Sequence, residues 1–342
     1  MQLKTFLIIQ TAFIGDVVLS TAVAEKLHQC FPGASIDFLL RKGNESLLEE
    51  HPYIREVLIW DKKKEKYGGL FRLLKTVRKE HYDLVVNMQR FGATGFLTAF
   101  SGAMQTSGFD KNPFSFMFSQ RVPHLISSPG MPFHEVNRNQ MLIAHITDQE
   151  AAKPRLYPAA KHIEAVARYK HKPYICIAPA SVWFTKQYPK DKWISFLKKI
   201  PDLLNVFIIG APTDVTLAEE ILMETGSKEN MQSLCGKLSL LQSVALQKDA
   251  IMNYVNDSGP MHFASAVNAP VTAIYCSTVP AFGFGPLSDQ RFIVETSVSL
   301  DCRPCGLHGR PACPLGHFHC AHYINDQQLL KTIPHSGLRI LN

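Results

Sequence analysis

Residues 253–275 constrain the fold more than any other stretch of the chain. An apolar run ends at Asn256, and a sharp turn passes through Asp257-Ser258-Gly259-Pro260. A short helix is then expected, followed by a second apolar strand, Val271–Tyr275. Pro260 suits a first helical position, and Asp257 or Ser258 can cap the free amides there. A helix that starts at the carboxyl end of a parallel strand points bare N–H groups and a positive dipole end into the ligand crevice. Such a place can hold a diphosphate. His262 lies in the first turn, where it reaches the same anion or serves as a buried, hydrogen-bonded core residue.

The amino terminus repeats the pattern. Leu3–Gln10 reads as a first strand, Thr11 to Gly15 as a turn, and Asp16–Phe31 as a helix whose apolar positions fall at helical spacing. Pro32-Gly33 ends that helix, and Ile36–Leu40 is the next strand. GxGxxG is missing from this β-α-β unit, so a dinucleotide fingerprint is not supported. One carboxylate, Asp16, stands at the mouth of the helix instead.

Further strands are expected at Val57–Trp60 and Leu84–Met88, with a helix over Leu70–Glu80. The proline-bearing stretch 112–138 reads as an irregular loop, and 153–172 as a polar linker. The pattern then restarts, with strands Tyr174–Ala178, Asn205–Gly210 and Ala250–Val255 and helices Asp191–Ile200 and Val215–Thr225. Two successive β/α runs imply two doubly wound α/β domains, each with its crevice at the strand C-termini. A chain of 342 residues with 46% hydrophobic and 19% charged residues is globular rather than disordered. No apolar run reaches the ~18 residues that a membrane span needs. The net charge of +7 favours acidic partners such as phosphorylated sugars or an anionic membrane face, or serves solubility alone.

Taken together, these segments resemble glycosyltransferase family 9, the lipopolysaccharide heptosyltransferases. The likeness rests on Ile14-Gly15-Asp16 after the first strand and on Asn256 to His262, Asn-Asp-Ser-Gly-Pro-Met-His. It also rests on Ala180-Ser181 preceding Lys186-Gln187-Tyr188-Pro189. Glu50-His51-Pro52-Tyr53-Ile54 and the strand 82–90 are lesser matches, all in the family's order. Ala12-Phe13 departs from the small polar pair often found there, which leaves the identity of the sugar open. The resemblance implies the GT-B fold, two Rossmann-like domains facing a central cleft. Residues 1–155 would bind acceptor and 172–321 the nucleotide-sugar donor, while 322–342 would pack back toward the first domain.

On the residues alone, Asp16 is an ordinary first-turn acid and Lys186 a solvated lysine in a polar loop. The resemblance makes Asp16 the catalytic base that takes the acceptor hydroxyl's proton as that oxygen attacks the anomeric carbon. A helix N-terminus favours its ionised form. Lys186 would stabilise the departing diphosphate, a charge that grows in the transition state. The expected donor contacts are Ser181, Lys186, Asp257, Ser258, Gly259, Pro260, Met261 and His262. Gln89 and Arg90, ending the fourth strand, are expected at the acceptor, although a surface arginine is the plainer reading of Arg90. No Asp-x-Asp triplet occurs in the chain, so catalysis is expected to need no metal cofactor.

Four of the eight cysteines crowd together: Cys302, Cys305, Cys313 and Cys320. Their spacing, with several histidines nearby, allows a structural zinc, and free thiols fit equally well. The function implied by the resemblance is inverting transfer of a sugar, with heptose from ADP-heptose as the named case, to a lipid-linked core-like saccharide. The expected location is cytoplasmic, peripheral on the inner face of the inner membrane, with no nucleic-acid partner. The alternatives are a sugar-nucleotide epimerase and a non-catalytic sugar-nucleotide-binding protein.

Overall fold

The protein, described by a computed structural model over residues 3–127 and 133–334, divides into two compact units, Met1–Tyr157 and Pro158–Asn342. The first unit begins with β1 (Thr5–Ile9), α1 (Ile14–Cys30), β2 (Ser35–Arg41), β3 (Ile54–Trp60) and α2 (Lys66–Glu80). It continues with β4 (Leu84–Asn87), α3 (Gly92–Ala99), β5 (Gln105–Phe109), β6 (Gln120–Val122) and α4 (Glu135–Gln140). Its six strands are all parallel, in the order β3-β2-β1-β4-β5-β6. Strand order reverses between β1 and β4, so the loops after those two strands flank a crevice.

The second unit runs α5 (Ala160–Ala167), β7 (Tyr174–Ala178), α6 (Lys190–Lys198), β8 (Asn205–Ile208), α7 (Val215–Glu224), β9 (Met231–Ser233) and α8 (Leu240–Lys248). After these come β10 (Met252–Asn256), α9 (Gly259–Ala266), β11 (Val271–Tyr275), β12 (Arg291–Glu295), α10 (His319–His322) and α11 (Asp326–Leu330). This sheet is also parallel, ordered β12-β11-β10-β7-β8-β9, and its reversal falls between β7 and β10.

Parallel strands covered by helices on both faces are buried on both faces, which is why they read as continuous apolar runs. Phe6 to Ile9 and Val271 to Tyr275 are fully buried. The expected irregular stretch 112–138 contains β6 and the start of α4, and the expected linker 153–172 contains α5. α5 is only eight residues long and follows Lys153-Pro154 and Pro158, a context that reads as a linker. From 322 onward, Ile324, Leu329 and Ile333 bury in the second unit's core beside Trp193 and Tyr254. Residues 335–342, the end of the segment expected to return toward the first domain, lie outside the described residues. No helix among the described residues is long and apolar enough to cross a membrane.

Candidate active site

The second unit's reversal point brings together the loop after β7 and the turn after β10. Asn256, the last residue of β10, fixes both ends of that loop. Its Nδ2 donates to the Pro179 carbonyl at 2.7 Å, and its Oδ1 accepts from the Tyr188 amide at 3.0 Å. Between these points the chain makes a 3-10 turn, Phe184–Lys186, and the Gln187 amide group donates to the Ser181 carbonyl at 2.7 Å. Ser181 therefore helps to close the loop through its backbone.

Thr185 ties the same turn to a distant segment. Its N–H donates to the Arg310 carbonyl at 3.1 Å, and its hydroxyl accepts from the Arg310 amide at 2.8 Å. Gly309 beside it has φ of +79°, and a Cβ there would lie 2.8 Å from Lys186 Cγ. Both facts require glycine, the first by conformation and the second by space. The stem of Lys186 is thus backed by the chain around residue 309. Its Nζ reaches Asp257 Oδ2 at 2.6 Å, with the two side chains 15% and 8% exposed. Thr278 also donates to that carboxylate, at 2.7 Å.

The sequence reading placed Asp257 or Ser258 as a side-chain cap for the following helix, and the structure corrects this. Ser258 is the N-cap residue of α9, but its side chain makes no cap bond; the hydroxyl donates to the Asn256 carbonyl at 3.4 Å. Asp257 turns to Lys186 and Thr278 instead, because a buried carboxylate gains more from a cation and a hydroxyl than from one amide. α9 therefore opens at Gly259-Pro260 without a side-chain cap, its first-turn dipole directed at the crevice. Met261 gives its side chain to the core, and its amide donates to the Ser258 carbonyl at 3.1 Å. His262 is buried, in keeping with its place one turn into the helix.

In the first unit, α1 starts two residues earlier than expected, so Asp16 sits at the third helical position. Its carboxylate accepts from the Phe13 amide at 3.1 Å. The preceding turn is held by Gln10 Oε1, which accepts from the Ala12 amide at 3.2 Å, and by Lys62 Nζ, which donates to the Thr11 hydroxyl at 2.8 Å. Across the reversal point, the buried Gln89 donates its side-chain amide to Gln10. Arg90 follows it, exposed at the end of β4.

α4 packs against α1 and adds residues that the sequence reading missed. Glu135 is buried and ion-paired with Arg138, whose Nε donates to the Leu125 carbonyl at 2.7 Å. Burial pushes the Glu135 carboxyl up to about 7; the negative charge of Asp16 adds to this, while Arg138 and Arg90 oppose it. His124 is pushed down to about 4 by burial, with Arg138 and Arg90 adding to the shift. Asp16, Arg90, His124, Glu135 and Arg138 thus form one electrostatic neighbourhood. The readable signal was Glu135 and Arg138 at a spacing of three after His134, an acid–base pair opening a helix.

The expected zinc site is not supported. Among the described residues no three or more His, Cys, Asp or Glu side chains gather to hold a metal ion. Cys320 is buried in the second unit's core, Cys313 packs against that core from a half-buried position, Cys302 and Cys305 stay partly exposed, and all eight thiols are free.

Known proteins agree with this architecture. A lipooligosaccharide heptosyltransferase 2 from Haemophilus ducreyi is 24% identical over 321 residues, covering 84% of this chain and 88% of that one. The structure of Escherichia coli ADP-heptose lps heptosyltransferase II superposes with a TM-score of 0.80 at 20% identity, covering 99% and 100% of the two chains. A glycosyl transferase family 9 structure from Veillonella parvula gives 0.84 at 20% identity, covering 99% of each. The family model described as glycosyltransferase family 9 (heptosyltransferase) matches residues 70–310. With two doubly wound units and a family match over most of its length, the chain belongs to glycosyltransferase family 9 and is a glycosyltransferase of the GT-B fold.

Proposed function

We propose that the protein transfers heptose from ADP-heptose, with inversion, to a lipid-linked saccharide of the lipopolysaccharide-core type. The second unit holds the donor and the first the acceptor. The similarity to a lipooligosaccharide heptosyltransferase and to the Escherichia coli ADP-heptose lps heptosyltransferase supports the choice of sugar and nucleotide. The observation that carries the reading is the Lys186–Asp257 pair beside the uncapped start of α9, at the reversal point of the second sheet.

Asp16 takes the proton of an acceptor hydroxyl as that oxygen forms a bond to the anomeric carbon. The bond from that carbon to the diphosphate oxygen breaks, and the nucleoside diphosphate leaves with the added negative charge. Lys186 and the Gly259 amide at the positive end of the α9 dipole meet that charge, which is larger in the transition state than in the bound donor. Asp257 holds the ammonium of Lys186 in position, and Ser181 and Ser258 shape the crevice through the backbone. Gln89 and Arg90 serve the acceptor. A lipid-linked acceptor places the enzyme at the cytoplasmic face of the inner membrane as a peripheral protein.

The test pairs donor binding with turnover. ADP-heptose at a hundred times its dissociation constant should raise apparent stability by ~2.7 kcal/mol, with UDP-, GDP- and CDP-sugars giving less. Nucleoside diphosphate should be released only when acceptor is present; an epimerase would release none. Asp16→Asn should keep donor binding and lose ~10²–10⁴-fold in rate. Near-wild-type turnover in that variant would reduce Asp16 to a helix-start acid.

A further inference from the structure

The first unit carries an aromatic stripe that packs against its core at Phe96 and stays partly exposed elsewhere. Phe71 on α2 meets Phe96 on α3 with ring centroids 6.0 Å apart, and Phe96 meets Phe100 at 4.8 Å. Phe114 closes the group at 6.0 Å from Phe96 and 6.4 Å from Phe100. The inward face of α2 is already supplied by Leu70, Leu73, Leu74 and Val77. Phe71 is left 60% exposed and Phe100 39%, and Phe91, just before α3, and Phe116, two residues past Phe114, are 63% and 75% exposed. Single exposed apolar residues are normal, but a contiguous run of rings across two helices and a turn marks an interaction surface.

Charge says what the surface fits. Exposed Lys75, Arg78 and Lys79 of α2 make no ion pair among the described residues, and they share a shallow groove with Phe71, Leu74 and His81. Arg78 reaches the loop that follows Phe100: a Cβ on Gly102 would lie 3.9 Å from its Cγ. The nearby carboxylates are already neutralised, Glu65 by Arg72 and Glu80 by Arg55. Aromatic rings bordered by unpaired cations complement an anionic lipid surface, where rings enter the headgroup boundary and cations meet the lipid charge. A second copy of the chain would set the same cations against each other.

We infer that the face built from α2, α3 and the turn after β5 docks on an anionic bilayer. The inference rests on the acceptor reading in one respect. Phe91 follows Arg90 and precedes the first residue of α3, so the face begins where the acceptor's sugar is placed, and a saccharide anchored in the same bilayer enters along it.

The experiment uses the full chain and vesicles of phosphatidylethanolamine with a quarter phosphatidylglycerol, compared with phosphatidylcholine alone. Wild-type protein should float with the anionic vesicles and be only partly released by salt. Lys75→Gln/Arg78→Gln/Lys79→Gln should weaken partition on the order of 100-fold, from the ordinary attraction per cation near such a surface. Phe71→Ser/Phe116→Ser should lose binding that salt does not control. These side chains are exposed, so thermal midpoints and turnover on a deacylated, water-soluble acceptor should stay at wild-type levels, while turnover on vesicle-embedded acceptor falls. Equal binding to both vesicle types, wild-type partition in both variants, or a wild-type dimer that the phenylalanine changes dissociate would overturn the inference. Failure of the wild type on every soluble acceptor, with vesicle binding intact and lost in both variants, would sink the acceptor reading and leave the docking face standing.

Discussion

Replacing Lys186 by methionine keeps the length of the stem that packs over Gly309 and removes only the charge. In the wild type, Asp257 Oδ2 lies 2.6 Å from Lys186 Nζ, and both side chains are largely buried. Breaking a buried pair from one side costs ~3–5 kcal/mol, because the other charge is left without its partner. Here Thr278 still donates to the carboxylate at 2.7 Å, so a cost just below that range, about 2–3 kcal/mol, is expected. For a unit of this size that is a fall in Tm of roughly 6 °C. Adding Asp257→Asn removes the stranded charge and should return most of the stability, with a coupling of about 2 kcal/mol between the two changes. Turnover should behave otherwise. Without the ammonium the leaving diphosphate loses its main side-chain support, a loss of about 10²–10³-fold that the second change cannot restore. Donor affinity should fall as well. The assays are thermal unfolding, calorimetry with donor, and acceptor-dependent release of nucleoside diphosphate, run on both single variants and the double. If turnover returns together with stability in the double variant, Lys186 is a structural partner of Asp257 and has no part in the chemistry.

A Cβ at Gly95 would lie 1.9 Å from Asn112 Oδ1, so Gly95→Ala must evict a side chain that donates to the Gln89 and Phe91 carbonyls and accepts from the Phe114 amide. Three lost bonds outweigh the gain in helix propensity by about 2 kcal/mol, to be read from urea midpoints, and a neutral result would refute the packing at that position. Glu135, raised from 4.5 to about 7 by burial, keeps in the native state between those values a proton that the unfolded chain has released. Its contribution therefore favours folding at the acid end of that window and declines as pH rises through it, by on the order of 3 kcal/mol. The stability of wild type minus Glu135→Gln, followed from pH 4.5 to 7, should fall accordingly; a flat difference would show that Glu135 is charged throughout. Activity should survive excess EDTA, since Lys186 and α9 carry the leaving charge, and restoration by Mg²⁺ or Mn²⁺ of activity lost from still-folded protein would contradict the mechanism.

The two halves of the fold were legible wherever strands are buried on both faces, as in β1, β4, β7, β10 and β11, because burial writes an apolar run into the sequence. β5, with Gln105-Thr106-Ser107-Gly108-Phe109, carries no such run: its place in the sheet comes from neighbours on either side. Of the candidate site, Asp16, Lys186 and the α9 turn could be proposed because they lie on short motifs. Their contacts could not. That Asp257 would leave the helix start for Lys186 depends on β10 lying beside β7, a pairing no local pattern records. The cluster around Glu135 was hidden by prolines that suggested a loop, and the cysteine spacing misled because spacing does not fix whether the side chains converge in metal-ligand geometry.

The bond between Thr185 and Arg310 joins residues 125 positions apart. A chain leaves the ribosome amino end first, and its domains fold in that order. All twelve strands are complete at Glu295, with Arg310 still to come. At that stage the second sheet can form, yet the turn that presents Lys186 has nothing behind it. Translation arrested between those two points would leave a product with both sheets spelled out and no fixed donor lysine. If Lys186 acts on the donor as proposed, competence to handle an activated sugar is postponed until the polypeptide is almost finished, and nascent chains stay silent toward the donor pool.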